Sequence, residues 1–259
     1  MISQKKPSVV IVVGSAPDAS RYTLWDKSTH TIAVINNAWR IRSDWDYLVF
    51  PEDFPPENAP TIIQASQRLI VAKDFVPTQN AYGGFVYGGG TMAYTAAYWV
   101  LGALKPDVMA FIGCDMVYPS DGSQTHFYGN GAPDPLRDDV TLQSLEAKSN
   151  RLLALAVGQQ CLCVNLSDQP ASRLMFPRMS IDQLQALTEQ DFNQHLKNLQ
   201  DQLDQQHIQA ALASEEKLGY FVESGRYWEE AHLLSRVELA KIDDQWMAVQ
   251  PKQPTYKTG

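Results

Sequence analysis

The chain predicts a doubly wound, mostly parallel α/β sheet of about six strands, followed by a C-terminal helical extension. Three observations predict it. Short apolar runs alternate with longer helical patterns up to about residue 166, Gly-rich turns interrupt that rhythm twice, and strand-like runs largely stop after Ser180. Apolar runs separated by helical stretches are the mark of βαβ units, whose strands lie parallel and are buried on both faces. The expected unit is therefore Rossmann-like.

The strand-like runs are residues 9–13, 31–35, 47–50, 68–71, 108–112 and 161–165, each followed by a polar, Gly or Pro turn. The apolar run 92–104 reads as a helix. Between the last two strands, Leu142, Leu145, Leu152, Leu155 and Ala156 fall near helical spacing and Gly158 supplies a stop, which predicts a crossover helix over 141–158. Residues 53–60, with three prolines, and the irregular residues 75–87 read as loops at the carboxyl edge of the sheet, where open α/β folds place ligands. The polar, aromatic and Gly-rich residues 118–135 form a third loop, long enough to act as a lid. Trp25, Trp39, Trp45 and Trp99 read as core or groove packing.

From Ser180 the composition turns to Gln, Leu, Asp and Glu. Leu184, Leu187, Leu196, Leu199 and Leu203 recur at intervals that suit an amphipathic helix, and Ser180 with Gln183 makes a capping box. A second helical pair is expected to turn at Glu223-Ser224-Gly225 and resume over 226–241. The apolar stripe should pack on the sheet unit or on a second copy of the chain. The expected division is 1–179 for the nucleotide-binding unit, 180–249 for the extension and 250–259 for a loose tail with two prolines.

At 259 residues and 44% hydrophobic content the chain can bury a large core, and its net charge of -8 leaves no general basic surface for nucleic acid or anionic lipid. No run approaches the roughly 20 apolar residues of a membrane span. Residues 1–7 lead into a strand rather than a signal sequence, so a cytoplasmic protein is expected. Cys114, Cys161 and Cys163, odd in number and without a Cys-x-x-Cys pair, read as buried thiols.

The turn Gly14-Ser15-Ala16-Pro17-Asp18 is neither a Gly-x-Gly-x-x-Gly fingerprint nor a P-loop, which disfavours a nicotinamide dehydrogenase and a P-loop kinase. Gly14 can make the tight turn, Ser15 can offer its hydroxyl, and Pro17 suits a first helical position. Asn36 and Asn37 end the second strand, where amides suit a ribose or base edge, or a simple turn. Gly88-Gly89-Gly90-Thr91 precede a helix whose free N–H groups and dipole favour an anion. After the strand 108–112 comes Gly113-Cys114-Asp115-Met116-Val117-Tyr118, which would set Asp115 in the crevice to accept a hydroxyl or hold a water or metal. The stretch 121–128 then adds the imidazole of His126 and the phenol of Tyr128. Each of these segments also has a bland reading, as an ordinary turn or a surface loop.

Taken in order, these segments resemble the Rossmann-type bacterial glycosyltransferases that use CMP-activated nonulosonic acids, among them bacterial sialyltransferases and the motility-accessory-factor proteins. Val164-Asn165-Leu166-Ser167 and Phe176-Pro177-Arg178 are similar to the post-sheet segment of the second group. The resemblance covers scattered short motifs over residues 8–178. It implies that Gly14, Ser15, Ala16 and Asn36 contact the nucleotide, that Gly89, Gly90 and Thr91 line its phosphate or sugar, and that Asp115 and Tyr118 sit beside the transferred group. His126 fits the motility-factor pattern better than the sialyltransferase one. No Asp-x-Asp ends a strand, so Mg²⁺ is allowed but no cofactor is required.

The expected reaction is inverting transfer from a CMP-linked nucleotide sugar to a hydroxyl of a glycan or protein acceptor. His126 would take the proton, while helix N-termini and Tyr118 or Tyr128 stabilise the departing phosphate. Two alternatives stand beside it. One is a Mg²⁺-dependent phosphoryl or pyrophosphoryl transferase using Asp115 with Asp121 or Asp134, since relatives of the motility group include a pterin pyrophosphokinase. The other is a non-catalytic nucleotide-binding module whose C-terminal helices bind a partner or a second copy.

Overall fold

The computed structural model describes residues 6–27, 30–118, 124–130 and 138–250. Its six strands are β1 (Val9–Val13), β2 (Thr31–Ile35), β3 (Tyr47–Val49), β4 (Arg68–Ile70), β5 (Val108–Ile112) and β6 (Leu162–Asn165). All pair in parallel, in the order β4-β3-β2-β1-β5-β6. Helices flank the sheet, which is the doubly wound α/β architecture that the run spacing predicts. β1 is central, with Val13 opposite Val34 of β2 on one side and Ile112 of β5 on the other. Strands covered on both faces cannot alternate polar and apolar residues, which is why β1 reads Val-Val-Ile-Val-Val and β5 Val-Met-Ala-Phe-Ile.

Residues 75–87 are not the continuous loop their composition predicts: apart from a turn at residues 81–83 they lie within helices α1 (Ala72–Asn80) and α2 (Gly84–Gly88). Pro77 inside α1 and the left-handed Gly83 between the two helices hide the helical pattern. The second Gly-rich turn consequently joins helix to helix, leading from α2 into α3 (Met92–Trp99), instead of following a strand. α3 then widens into a π turn over Val100–Leu104. The crossover helix is α4 (Leu145–Gly158), capped by Ser144, with the start of the expected 141–158 segment taken by a 3₁₀ turn at Val140–Leu142.

The extension comprises α5 (Ile181–Ala186), α6 (Glu189–Gln202), α7 (Gln205–Leu218) and α8 (Arg236–Met247). The Ser180–Gln183 capping box forms as read, with bonds of 2.8 and 3.2 Å. The helix expected from residue 226 begins only at Arg236, because short 3₁₀ turns occupy Tyr227–Glu229 and Ala231–Leu233 and Ser235 supplies the cap. The extension packs on the sheet unit through α4. Lys148 reaches Asp243 at 2.8 Å, and Arg151 is gripped by both carboxylate oxygens of Glu215 at 2.8 Å each, the hydroxyl of Tyr98 and the carbonyl of Tyr82. Trp246 donates its ring N–H to the same Glu215 at 2.7 Å. All three cysteines are free and buried. Among the described residues no helix is long and apolar enough to cross a membrane. The expected loose tail beyond Gln250 lies outside them.

Candidate crevice at the carboxyl edge of the sheet

Strand order reverses between β1 and β5, and open α/β sheets take ligands in the crevice beyond the carboxyl ends at such a switch point. A crevice of about 450 Å³ lies there. Cavities of about 480 and 430 Å³ also occur near His30 and near Arg151, but the first borders the amino-terminal ends of β1 and β2 and the second lies against α7. Position, not size, therefore selects the site.

The ends of β1 and β5 run against each other. The Gly14 N–H donates to Ile112 at 2.8 Å and the Ala16 N–H to Gly113 at 3.0 Å. A Cβ on Gly14 would sit 2.2 Å from the Gly113 carbonyl oxygen, and one on Gly113, whose φ is +69°, would sit 2.6 Å from the Ala19 methyl group. Only glycine tolerates this approach. Gly14 and Ser15 line the crevice, whereas Ala16 and Pro17 do not; Pro17 opens the 3₁₀ helix Pro17–Leu24. The Ser15 carbonyl accepts the Phe127 N–H at 2.9 Å, which docks residues 124–130 on the first turn.

Asn36 and Asn37 both line the crevice, as do Phe54, Pro55 and Asn58 from the proline-rich loop. The side-chain oxygens of Asn36 and Asn37 are buried, and among the described residues no donor reaches either. Asn36 (φ +49°) and Met116 (φ +53°), another lining residue, hold left-handed backbone. That conformation costs a non-glycine residue about 1–3 kcal/mol and gathers at functional sites. Thr91 lines the crevice while capping α3, its hydroxyl oxygen accepting the Tyr94 N–H at 3.3 Å. Met92 and Ala93, in the first turn of α3, lie beside it, where backbone N–H groups have no partner inside the helix.

Gly89 and Gly90 are not among the lining residues, so the turn does not wrap a phosphate with these two positions. Gly89 packs against Tyr94 and Lys148, and a Cβ on Gly90 would lie 2.0 Å from the Tyr227 hydroxyl. The Gly90 N–H donates to Thr141, whose hydroxyl donates to Asp139, and Tyr227 donates to the other oxygen of that carboxylate at 2.7 Å. Glycine here permits close approach of the protein to itself, and a tyrosine of the extension braces the turn entering α3.

His126, Tyr118 and Tyr128 all line the crevice. The His126 ring stacks on Tyr128 at 5.0 Å and lies 6.2 Å from Tyr118. Its backbone exchanges two 3.0 Å bonds with Gly129, and Nδ1 lies 2.8 Å from the Thr125 hydroxyl. Burial holds the imidazole below its ordinary pKa, so it is neutral at pH 7. The direction of that bond depends on the tautomer; in the tautomer that donates Nδ1–H to Thr125, Nε2 is the nitrogen that accepts a proton.

Asp115 departs from its expected place. The chain after β5 turns Cys114, Met116 and Tyr118 to the crevice and Asp115 toward β6, where one carboxylate oxygen accepts the Asn165 amide at 3.1 Å. Nearby, Asp18 accepts the Ser167 hydroxyl at 2.7 Å. Thus two residues of the 164–167 segment hold buried carboxyls behind the crevice. Burial raises the Asp18 pKa, and the charge of Asp115 raises it further. A carboxyl with a higher pKa folded than unfolded binds its proton more tightly in the native state. Its penalty is absent below the unfolded value and grows as pH rises through the folded one. Asp18→Asn should therefore melt a few degrees above the parent at pH 7, at roughly 2–4 °C per kcal/mol, with the gap closing toward pH 4. Thermal unfolding across that range checks it, and a variant no more stable at pH 7 would refute the sign.

Among the described lining residues there is no Lys, Arg, Asp or Glu. Asp121 and Asp134, along with most of the expected 118–135 lid, lie outside the described residues. Among those described, no three His, Cys, Asp or Glu side chains gather as a metal site. Ile35, Met92, Ala93, Cys114 and Met116 carried no signal in the sequence, because single apolar residues at element ends read as core. No family model, no curated protein and no solved structure matches the chain.

Proposed function

We propose that the chain is a cytoplasmic transferase that binds a CMP-linked nucleotide sugar and passes the sugar, with inversion, to a hydroxyl of a glycan or protein acceptor. The observation that carries this reading is a crevice at the switch point whose described lining residues carry no Lys, Arg, Asp or Glu and include the start of α3 and the imidazole of His126, whose pKa burial lowers. Helix N–H groups and the dipole offset about half a unit of charge. That suits the single phosphodiester of a CMP-linked donor. A diphosphate or triphosphate would bring further negative charge against described lining residues that include no cationic side chain.

In this reading His126 Nε2 removes the proton of the acceptor hydroxyl as its oxygen attacks the anomeric carbon. The bond from that carbon to the phosphate oxygen breaks, and its electron pair leaves with CMP. The α3 N–H groups and a tyrosine hydroxyl, Tyr118 or Tyr128, receive the departing charge. The resemblance to glycosyltransferases that use CMP-activated nonulosonic acids supports the same donor class.

Calorimetry and thermal shift with CMP, CDP, UDP, GDP and ATP, each with and without Mg²⁺, test the reading, since a ligand selective for the native state raises its apparent stability. Selective, metal-independent CMP binding is expected. Mg²⁺-dependent ATP binding would replace it with phosphoryl transfer, and binding of none of them would leave a non-catalytic interaction module.

A further inference from the structure

We infer that Tyr227, in the C-terminal extension, is a positioning residue of the crevice, holding the first turn of α3 where its backbone N–H groups meet the phosphate of the ligand. The inference rests on the nucleotide reading above and adds the extension to the site. Tyr227 does not itself line the crevice and acts through a relay of hydrogen bonds. Its hydroxyl donates to one carboxylate oxygen of Asp139 at 2.7 Å, and the other oxygen accepts the backbone N–H and the hydroxyl of Thr141 at 2.8 Å each. Because the Thr141 hydroxyl gives its proton to Asp139, its oxygen is left to accept the Gly90 N–H, at 3.0 Å. The relay thus runs from the extension to the residue before Thr91.

Thr91, Met92 and Ala93, the next three residues, line the crevice. The N–H groups of a first helical turn have no partner inside the helix, so the backbone leading into the turn sets their aim. That backbone is held firmly here. Tyr227 and Thr141 are buried, the Tyr227 ring stacks on Phe85 of α2 at 6.3 Å, and a Cβ on Gly90 would come within 2.0 Å of the Tyr227 hydroxyl. A second tie from the same segment, Arg226 to Glu52 at 3.1 Å, leads toward the loop that carries Phe54, Pro55 and Asn58, but both partners are about half exposed and such pairs contribute little. The buried relay is therefore the tie that governs ligand affinity. A binding constellation must be held to within about 0.5 Å by supporting bonds of this kind.

Calorimetric titration of the full chain with CMP tests the inference, on the parent, Tyr227→Phe, Thr141→Val and Trp246→Phe, each at a temperature well below its unfolding midpoint. Tyr227→Phe keeps the stacked ring and removes the first bond of the relay, and Thr141→Val keeps the side-chain shape and removes the bond to Gly90. Each should weaken CMP binding by at least about fivefold. Trp246→Phe removes the ring N–H that reaches Glu215 at 2.7 Å and loosens the extension away from the relay, so it should leave CMP affinity within about twofold of the parent. Unchanged affinity in either relay variant would overturn the inference. An equal loss in Trp246→Phe would also overturn it, by showing a general effect of a weakened extension. No CMP binding by the parent would overturn the nucleotide reading and this inference with it.

Discussion

His126→Ala is expected to reduce turnover by about 10²–10⁴-fold, the usual contribution of a positioned general base, while CMP affinity changes by less than about threefold. The split follows from geometry. The imidazole stacks on Tyr128 and lies 6.2 Å from Tyr118, whereas Asn36, Asn37 and the start of α3 form other parts of the lining. A base must be unprotonated to act, so kcat/KM should rise with pH through the His126 pKa and then level off. Because burial depresses that pKa, the acid limb should lie below the ordinary histidine range of about 6.5. Full activity should persist into mildly acidic buffer, and the variant should lack that limb. Measuring kcat/KM from pH 4.5 to 8 on both proteins decides it, and unchanged turnover in the variant removes His126 from the mechanism.

Glu215→Ala is expected to be the most destabilising single change in the extension, by about 3–5 kcal/mol, which for a chain of this size is on the order of 10 °C in Tm. Arg151 and Glu215 are both buried, and the substitution strands the guanidinium without its countercharge. It also removes the acceptor of the Trp246 ring N–H. Joint replacement by Arg151→Met and Glu215→Leu should recover much of the loss, since exchanging a whole buried ion pair for apolar residues avoids the stranded charge. Denaturant unfolding of the single and double variants tests this. A single variant within about 1 kcal/mol of the parent would show that the pair does not tie the extension to the sheet unit.

These two sites differ in how far local sequence revealed them. The crevice was partly legible: Gly14, Ser15, Asn36, Asn37, Thr91, Tyr118, His126 and Tyr128 were singled out by turn chemistry and by their places at element ends, and all of them line it. Asp115 was read by the same logic and lies elsewhere, because the turn after β5 and the amide of Asn165 decide which way it faces. Gly89 and Gly90 are expected to line a phosphate or sugar, but the groups that approach them are Tyr94 and Lys148 at the first and Tyr227 at the second. The ion pair that secures the extension had no sequence signature, since charged residues in an amphipathic helix ordinarily read as its solvated face.

The six strands, the crossover helix and the helical extension are thus carried by the chain's own periodicity, because apolar runs, caps and turn residues are properties of neighbouring positions. The order of the strands in the sheet is set instead by pairing between distant segments. Which side chains share the crevice was settled only by folding. Asn165 stands 50 residues from Asp115, Tyr227 stands 88 from Asp139, and Glu215 stands 64 from Arg151. Contacts at such separations depend on packing between elements, and a pattern with a period of a few residues cannot encode them.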